Sequence, residues 1–274
     1  MKYLWIIPAV PAGLFLLWLL LIRGKRRKPG FYGLAGFDYA HRGLHDRAKG
    51  IPENSLAAFR RAVEAGYGAE LDVHLTKDGG LVVMHDENLM RTAGQDVRIC
   101  DLTIDELARY RLEGTQEKIP ELHEVLTLFV GKAPLIIELK TCEANYAELT
   151  ARTCRCLDDF PELTYCIESF DPRVLWWLRK NRPQVIRGQL SCNLRHEKIG
   201  IPKPLLWAMT YLLGNVMTVP HFIAYNYEAR GNVSLRLCRR LWGVQEVSWT
   251  LRSRFDVSNA KNKGCIAIFQ NCRP

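Results

Sequence analysis

Charged side chains interrupt two aliphatic runs of the sequence at a spacing that suits chemistry. Glu70 and Asp72 stand two residues apart in one run, and Glu138 and Lys140 repeat that spacing in another. Because successive side chains of a strand alternate between its faces, each pair would share one face. Charges in such positions are costly without partners. Converging carboxylates repel one another, so the pattern predicts either a hard divalent cation, Mg²⁺ or Ca²⁺, or pairing with Lys or Arg.

Histidine and cationic side chains follow the same kind of apolar run. His41 and Arg42 come after one candidate strand, and His85 comes after Leu81–Met84. Histidine can accept and donate protons near neutral pH, so two of them can serve opposite sides of one displacement. Arg42 and Lys140 supply positive charge that fits phosphate oxygens. The set predicts phosphoryl transfer, and the alternative is two structural histidines beside neutralised carboxylates.

The elements that must position these residues alternate between short apolar strands and helical patterns. From Phe37 to Phe269 this alternation favours crossover units and a parallel sheet. Some eight repeats predict a closed TIM (β/α)8 barrel, in which polar residues at the carboxyl ends of the strands form the site. An open doubly wound sheet is the alternative, but no glycine-rich phosphate loop follows the first strand. Asp86–Glu117 and Cys192–Met217 exceed ordinary barrel loops, and we expect them to cover one mouth of the barrel.

Three sequence motifs together resemble the glycerophosphodiester phosphodiesterase family. The matching text is AHRGLHD, then IPENSLAAFRRAVEAGYGAELDVHLTKDGGLVVMHDENLMRTAG, then PLIIELK. The second half of the chain matches only through Ser169-Phe170-Asp171 and Trp249-Thr250, and the chain ends without the acidic residue that the family usually carries shortly before its final proline. The resemblance implies a TIM barrel that hydrolyses glycerophosphodiesters to an alcohol and sn-glycerol 3-phosphate.

The resemblance also implies a role for each motif residue. These roles are general base for His41, general acid for His85, phosphate binding for Arg42 and Lys140, and metal binding for Glu70, Asp72 and Glu138, with Glu70 also near the glycerol. Glu53 and Asn54 would support the site. Asn54 also stands where a helix N-cap is expected, as does Asp171. The implied cofactor is a divalent cation, Mg²⁺ or Ca²⁺.

Other interpretations of the same residues remain open. A lysophospholipase D-like or phosphatidylinositol-cleaving barrel at the membrane would keep both histidines and yield a free headgroup or a cyclic phosphate. A catalytically silent, membrane-bound binding protein is the interpretation from outside the enzymes, since a complete motif set can still lack turnover. The expected substrate is a glycerophosphodiester or a lysophospholipid.

The chain begins with an apolar leader. Tyr3–Ile22 is an uncharged run of 20 residues, about the length that crosses a bilayer core. One lysine precedes it and the basic cluster Arg23–Lys28 follows. These flanks favour an uncleaved single-pass membrane anchor over a signal peptide and place the rest of the chain on the cytoplasmic side. The predicted organisation is an anchor with a basic flank over 1–28, a linker over 29–36 and the barrel over 37–274.

Charge and cysteine content limit the remaining function classes. The net charge is +9, but six basic and no acidic residues precede Asp38, so we expect no basic groove for nucleic acid. Nine cysteines without regular spacing are typical of a reducing compartment rather than of a disulfide framework. We expect all nine to be packing residues or inert surface thiols.

Overall fold

The computed structural model describes residues 6–26, 31–196 and 200–274, in which strands and helices alternate along the chain. The strands are β1 (Tyr39–His41), β2 (Gly68–Leu75), β3 (Leu81–Val83), β4 (Leu135–Leu139), β5 (Tyr165–Ser169), β6 (Arg187–Ser191), β7 (Phe222–Asn226), β8 (Gln245–Leu251) and β9 (Ile266–Phe269). The helices are α1 (Ile6–Leu21), α2 (Tyr32–Ala35), α3 (Leu56–Glu64), α4 (Met90–Ala93), α5 (Ile104–Leu107), α6 (Leu122–Phe129), α7 (Tyr146–Asp158), α8 (Pro172–Asn181), α9 (Lys203–Thr210), α10 (Asn215–Thr218), α11 (Val233–Trp242) and α12 (Arg254–Asn262).

Eight of these strands form a closed parallel barrel. Its order is β1-β2-β4-β5-β6-β7-β8-β9, and β1 pairs with both β2 and β9 to close the ring. The strands are buried along most of their length because helices cover the outside and side chains fill the inside. The predicted TIM barrel is confirmed, and the carboxyl ends of all eight strands meet at one mouth.

Strand β3 does not belong to the barrel wall. It pairs antiparallel with β2, with Val73 opposite Val83, so the predicted third barrel strand is the second arm of a hairpin. The hairpin carries β2 beyond its pairing with β4 and then returns along it. The Met84 amide donates to the Asp72 carbonyl at 3.0 Å. His85 is therefore brought to the mouth by a returning hairpin arm, not by the end of a parallel strand.

The residue that caps helix α3 differs from the predicted one. Ser55 Oγ accepts a hydrogen bond from the Ala58 amide at 3.1 Å, which satisfies one of the free donors of the first turn. Asn54, the predicted cap, precedes the helix with a φ of 54° and directs its side chain elsewhere. Both residues are good caps, so their order alone could not decide between them. Asp171 caps α8 as predicted, because its carboxylate accepts from the Arg173 amide at 2.9 Å.

The two long stretches differ in what they contribute to the mouth. The segment 86–117 holds α4 and α5, and with its flanks it builds a small apolar core of its own from Val82, Met84, Leu89, Ile99, Leu107, Leu112 and Ile119. It brings Asp86 and Arg91 to the edge of the mouth. The described residues of 192–217 are not among those that line the cavity at the mouth; whether this stretch covers the site or is an ordinary part of the core stays a prediction.

The predicted membrane anchor is not supported by the helix that the leader forms. Helix α1 has 16 residues and begins at Ile6, and the first residues of the predicted span, Tyr3–Trp5, lie outside the described residues. Among the described residues, none of the helices combines the length and the apolar character that a membrane crossing requires. The predictions of a transmembrane segment and of a cytoplasmic side for the barrel are therefore wrong.

The carboxyl-terminal end of α1 and the residues that follow it pack against the barrel of the same chain. Ile22 is fully buried in a cluster with side chains of β7 and α11. Trp18 Nε1 donates to Ser234 Oγ at 3.2 Å, and Asn215 Nδ2 donates to the Ile22 carbonyl at 3.3 Å. Part of the apolar surface of the leader is thus covered by protein. Arg27 and Lys28 of the predicted basic cluster lie outside the described residues.

Residues of the predicted linker contact the barrel core. Helix α2 lies within 29–36. Phe31 directly before the helix and Leu34 within it are buried with the aromatic side chains of Tyr39 and Phe222. Tyr39 Oη donates to the Leu34 carbonyl at 2.8 Å. This segment therefore fills one side of the core below β1. The boundaries of the linker over 29–36 and of the barrel over 37–274 stay a prediction.

Close packing inside the barrel gives a first testable prediction. A Cβ atom added to Gly188 on β6 would overlap the ring of Phe222 on the neighbouring strand β7. We expect Gly188→Ala to lower the free energy of unfolding by about 1–3 kcal/mol, because overpacking forces neighbours off their preferred positions. Urea denaturation measures this change.

A matched glycine serves as the control. Gly36 has a helical φ of −81° and no atom within 4 Å of an added Cβ. We expect Gly36→Ala to change the stability by less than about 1 kcal/mol. Equal effects of the two substitutions would contradict the packing argument.

Candidate active site

Strand register brings three of the predicted acidic residues together. Glu70 and Asp72 lie on β2, Asp72 is opposite Glu138 on β4, and Glu70 is opposite His41 on β1. Oxygen atoms of Glu70, Asp72 and Glu138, which we call the acidic cluster, all lie within 4.8 Å of one another. All three side chains are buried. The period of two along β2 thus places both of its carboxylates inside the mouth.

Burial and repulsion change the proton affinity of the acidic cluster. Burial, together with the charges of Asp72 and Glu138, raises the pKa of Glu70 well above its ordinary value. Burial also raises the pKa of Glu138, against the opposing effect of Lys140. Asp72 behaves differently: burial alone would raise its pKa, but Lys140, His85 and Arg42 outweigh it and hold the pKa well below the ordinary range. The cluster therefore holds more negative charge than its surroundings readily accommodate.

Two cations compensate part of this charge. Lys140 Nζ lies 2.7 Å from Glu138 Oε1 and 3.1 Å from Asp72 Oδ1. Arg42 Nε lies 3.6 Å from Asp72 Oδ2, and the Arg42 amide donates to Glu70 Oε2 at 3.1 Å. The sequence left open a choice between pairing with Lys or Arg and binding a metal. The pairing is present in the structure.

The acidic cluster also fits a hard divalent cation. Three carboxylates face two cations, and Arg42 also pairs with Glu53, so a bound cation would compensate charge that these two side chains do not. The potential ligands are all oxygen atoms, which Mg²⁺ and Ca²⁺ prefer. Among the described residues, no Lys or Arg side-chain nitrogen lies within 4 Å of the Glu70 carboxylate, which instead has His41 Nε2 at 3.8 Å. The cluster could therefore hold a metal ion.

Both predicted histidines reach the mouth, each held by a different partner. His41 Nδ1 donates to Gln270 Oε1 at 2.9 Å, which leaves Nε2 directed toward Glu70. Burial, with the nearby Arg42 charge, lowers the pKa of His41 to about 3. His85 Nδ1 contacts Asp86 Oδ1 at 2.6 Å. One imidazole is thus held neutral by its surroundings, and the other is oriented by a carboxylate at hydrogen-bond distance.

The two predicted supporting residues make direct contacts with the site. Glu53 Oε1 accepts from Arg42 Nη1 at 2.8 Å and from Arg91 Nη2 at 2.6 Å. Asn54 Nδ2 donates to Asp72 Oδ2 at 2.9 Å. Arg42 has a φ of 56°, a conformation that only a well-defined surrounding maintains in a residue other than glycine. Glu53 fixes the guanidinium, and Asn54 satisfies one carboxylate oxygen.

The mouth encloses a cavity of about 300 Å³ whose far wall the sequence did not predict. Besides the predicted residues, its lining includes Glu168, Phe170, Leu190, Trp249, Thr250, Arg252, Ile268 and Gln270. Glu168 lies opposite Glu138 on β5, is buried, and has a pKa that burial and the Glu138 charge raise. A lone acidic residue inside the apolar run of β5 was the signal that could have identified it. Gln270 and Arg252 come from loops after distant strands, where spacing carries no such signal.

The remaining described histidines stay outside the proton-transfer positions. His74 is buried on β2, and this burial lowers its pKa to about 4. Its Nε2 contacts the His85 carbonyl at 3.3 Å. His221 is buried beside Arg187, whose amide donates to it at 3.3 Å. His123 is exposed near Glu121. His74 contacts the backbone of His85 rather than the acidic cluster.

Fold and site together define the class of the protein: a TIM-barrel enzyme with a charged pocket at the carboxyl ends of its parallel strands. A family model described as the glycerophosphoryl diester phosphodiesterase family matches residues 41–221. The chain belongs to this family. The sequence-based prediction of a phosphodiesterase enzyme is thereby confirmed.

Individual relatives agree with the family assignment. The chain is 36% identical over 165 residues to a glycerophosphodiester phosphodiesterase of Caldanaerobacter subterraneus subsp. tengcongensis, which covers 57% of this chain and 67% of that protein. It is 29% identical over 251 residues to glycerophosphodiester phosphodiesterase 1 of Rattus norvegicus, covering 80% and 72%.

Solved structures share the fold. A glycerophosphodiester phosphodiesterase from Thermotoga maritima has a TM-score of 0.63 at 27% identity and covers 85% of this chain and 93% of its own. An Oleispira antarctica phosphodiesterase, solved in complex with the product sn-glycerol-3-phosphate, has a TM-score of 0.69 at 23% identity and covers 86% and 94%. The second likeness concerns the fold alone.

Proposed function

We propose that this chain is a metal-dependent phosphodiesterase that hydrolyses glycerophosphodiesters to an alcohol and sn-glycerol 3-phosphate. The observation that carries the proposal is the convergence of the acidic cluster, two cations and two imidazoles around one cavity of about 300 Å³. Family membership supplies the substrate class. Positive groups suit the equatorial oxygens of a phosphodiester, and imidazoles suit the proton transfers on either side of it.

His41 acts as the general base in this proposal. Its surroundings favour the neutral form, so Nε2 has a lone pair to accept a proton from the oxygen that attacks phosphorus, which is either water or the substrate's own hydroxyl group. Gln270 holds the opposite nitrogen at 2.9 Å and so fixes the tautomer and the ring orientation. The carboxylate of Glu70, 3.8 Å from Nε2, stabilises the imidazolium once it forms.

His85 acts as the general acid for the leaving oxygen. Asp86 Oδ1 lies 2.6 Å from its Nδ1 and orients the ring, so Nε2 is the nitrogen left to donate a proton. Arg91 donates to Asp86 from Nε at 2.6 Å and keeps that carboxylate in place. The hydrogen bond from His85, with the Arg91 charge, holds the pKa of Asp86 well below its ordinary range, so Asp86 stays ionised.

Arg42 and Lys140 bind the phosphate, and Glu70, Asp72 and Glu138 would hold the cation, with Glu70 also near the glycerol. A bound Mg²⁺ or Ca²⁺ would neutralise the acidic cluster and polarise a phosphoryl oxygen as a Lewis acid. Glu53 and Asn54 keep Arg42 and Asp72 in position. The lining of the pocket by both cations supports their assignment to the phosphate.

Removing either imidazole tests the proton-transfer roles. We expect His41→Ala and His85→Ala each to lower kcat by about 10²–10⁴-fold, the usual contribution of a positioned acid or base. Release of choline and sn-glycerol 3-phosphate from glycerophosphocholine, with other headgroups in parallel, measures the rate and identifies the products. A cyclic phosphate as the end product would contradict the proposed reaction.

A matched control separates this effect from general loss of a histidine. His123 is exposed and distant from the cavity lining. We expect His123→Ala to keep the wild-type rate, and circular dichroism to show that all three variants are folded. Near wild-type kcat in His41→Ala or His85→Ala would remove the corresponding role.

Metal removal tests the cofactor. We expect exhaustive chelation to abolish hydrolysis, because three buried carboxylates then repel one another and distort the phosphate pocket. Adding Mg²⁺ or Ca²⁺ back should restore the rate. Full activity of the chelated protein, with its metal content checked by mass spectrometry, would refute metal dependence while leaving the histidine roles standing.

A further inference from the structure

A second group of potential metal ligands lies outside the acidic cluster. Glu87, Cys100 and Cys142, which we call the thiol cluster, each offer one ligand atom, and these atoms lie within 4.8 Å of one another. Cys142 Sγ is 3.7 Å from Glu87 Oε1. Cys142 is buried, Cys100 is half-buried and Glu87 is exposed. The cluster is therefore closed on one side and open to solvent on the other, which gives an ion a path of entry.

The backbone holds these three side chains together without an ion. The Glu87 carbonyl accepts from the Ile99 amide at 2.9 Å, and Asn88 and Arg98 form the adjacent antiparallel bridge, so Glu87 and Cys100 belong to one folded unit. The Cys142 amide donates to Asn145 Oδ1 at 3.0 Å, which fixes the loop after β4. A preformed arrangement reduces the entropy cost of binding.

The donor atoms select a different kind of ion from the acidic cluster. Two sulfurs and one carboxylate oxygen suit Zn²⁺ and similar ions, whereas three carboxylates suit Mg²⁺ or Ca²⁺. Zinc bonds of about 2.0–2.3 Å in a tetrahedron place neighbouring ligand atoms about 3.3–3.8 Å apart. The 3.7 Å between Cys142 Sγ and Glu87 Oε1 already agrees with this spacing. The sulfur of Cys100 lies within 4.8 Å of the other two ligand atoms.

The charges around the thiol cluster are compatible with a divalent ion. Burial, with the neighbouring Cys100 and Glu87, raises the pKa of the Cys142 thiol to about 12, so this thiol is protonated when no ion is bound. Binding replaces the two thiol protons by one divalent cation, and the protons go to solvent. The resulting single negative charge of the complex faces Arg98, whose Nη1 lies 3.6 Å from Glu87 Oε1.

We propose that Glu87, Cys100 and Cys142 form a second cation site, selective for borderline-soft divalent ions such as Zn²⁺, with solvent as the fourth ligand. Cys142 lies two residues after Lys140, and Glu87 and Cys100 lie in the segment 86–117. A bound ion therefore joins that segment to the loop that follows the phosphate-binding lysine. The site is independent of the proposed hydrolysis, since none of its ligands lines the cavity.

Cadmium titration of the reduced full-length chain tests the site, because thiolate-to-cadmium charge transfer reports sulfur ligation directly. Excess Mg²⁺ is present to occupy the acidic cluster. We expect one Cd²⁺ per chain with two thiolate ligands, and Zn²⁺ should displace it. Cys100→Ser and Cys142→Ser should each weaken Cd²⁺ binding about 100-fold or more. Loss of a residue that only orients a metal ligand has a smaller effect.

Further variants keep the test decisive. Glu87→Gln alters an exposed side chain and should weaken binding without affecting the fold, which circular dichroism verifies for every variant. Cys156→Ser, a partly buried cysteine of α7 outside the cluster, should bind as the wild type does. Unchanged charge transfer in both Cys100→Ser and Cys142→Ser would overturn the proposal. So would the absence of any thiolate signal in the reduced wild-type chain, or a Cys100–Cys142 disulfide that forms in place of metal uptake.

Discussion

The repulsion among three buried carboxylates is the constraint on which the rest of this site depends. Parallel pairing of β2 with β4 places Asp72 opposite Glu138, and the period of two along β2 adds Glu70 on the same face. The fold itself imposes this proximity, since no local rearrangement separates residues of adjacent barrel strands. Lys140 and Arg42 lie where they do because buried carboxylates without counter-charge would destabilise the barrel mouth.

Compensation then extends outward through a chain of ion pairs. Arg42 is held by Glu53, Glu53 also binds Arg91, and Arg91 binds Asp86, which contacts His85. His85 follows a hairpin arm rather than a barrel strand, so this chain of charges connects it to the acidic cluster through side chains. Each side chain in this chain of ion pairs has a partner of opposite sign or a hydrogen-bond acceptor. The network therefore orients the imidazole of His85, which the barrel strands alone do not fix.

Sequence reasoning succeeded where the strand period and the alternation of elements determine position. The spacing of two residues in Glu70/Asp72 and Glu138/Lys140 predicts that each pair shares one face of its strand. The alternation of strands and helices along the chain predicts the barrel. It failed where a pattern has two physical solutions. The run Leu81–Val83 has the same apolar pattern whether it forms a parallel barrel strand or one arm of a hairpin. The composition of an apolar leader does not show what covers it: Ile22 is buried against the barrel, whereas Leu14 and Leu16 of α1 are exposed. Contacts between distant segments, such as that of Cys100 with Cys142, have no local signal at all.

The charged and the apolar parts of the pocket lining come mostly from different strands of the barrel. Strands β1, β2 and β4 carry most of the charged groups, whereas β5 and the ends of β8 and β9 supply a wall that includes Glu168, Phe170, Trp249 and Arg252. The rings of Phe170 and Trp249 contact edge to face, with centroids 6.0 Å apart, and form an apolar surface opposite the acidic cluster. Changing a charged residue such as Lys140 leaves two carboxylates without their cation and so affects the whole mouth. Changing Arg252, an exposed residue at the edge, alters what a substrate meets there but leaves those buried pairs intact. The buried charge pairs and the apolar wall thus come largely from different strands, and the motif text is dense in the first half of the chain, which carries those pairs, and sparse in the second.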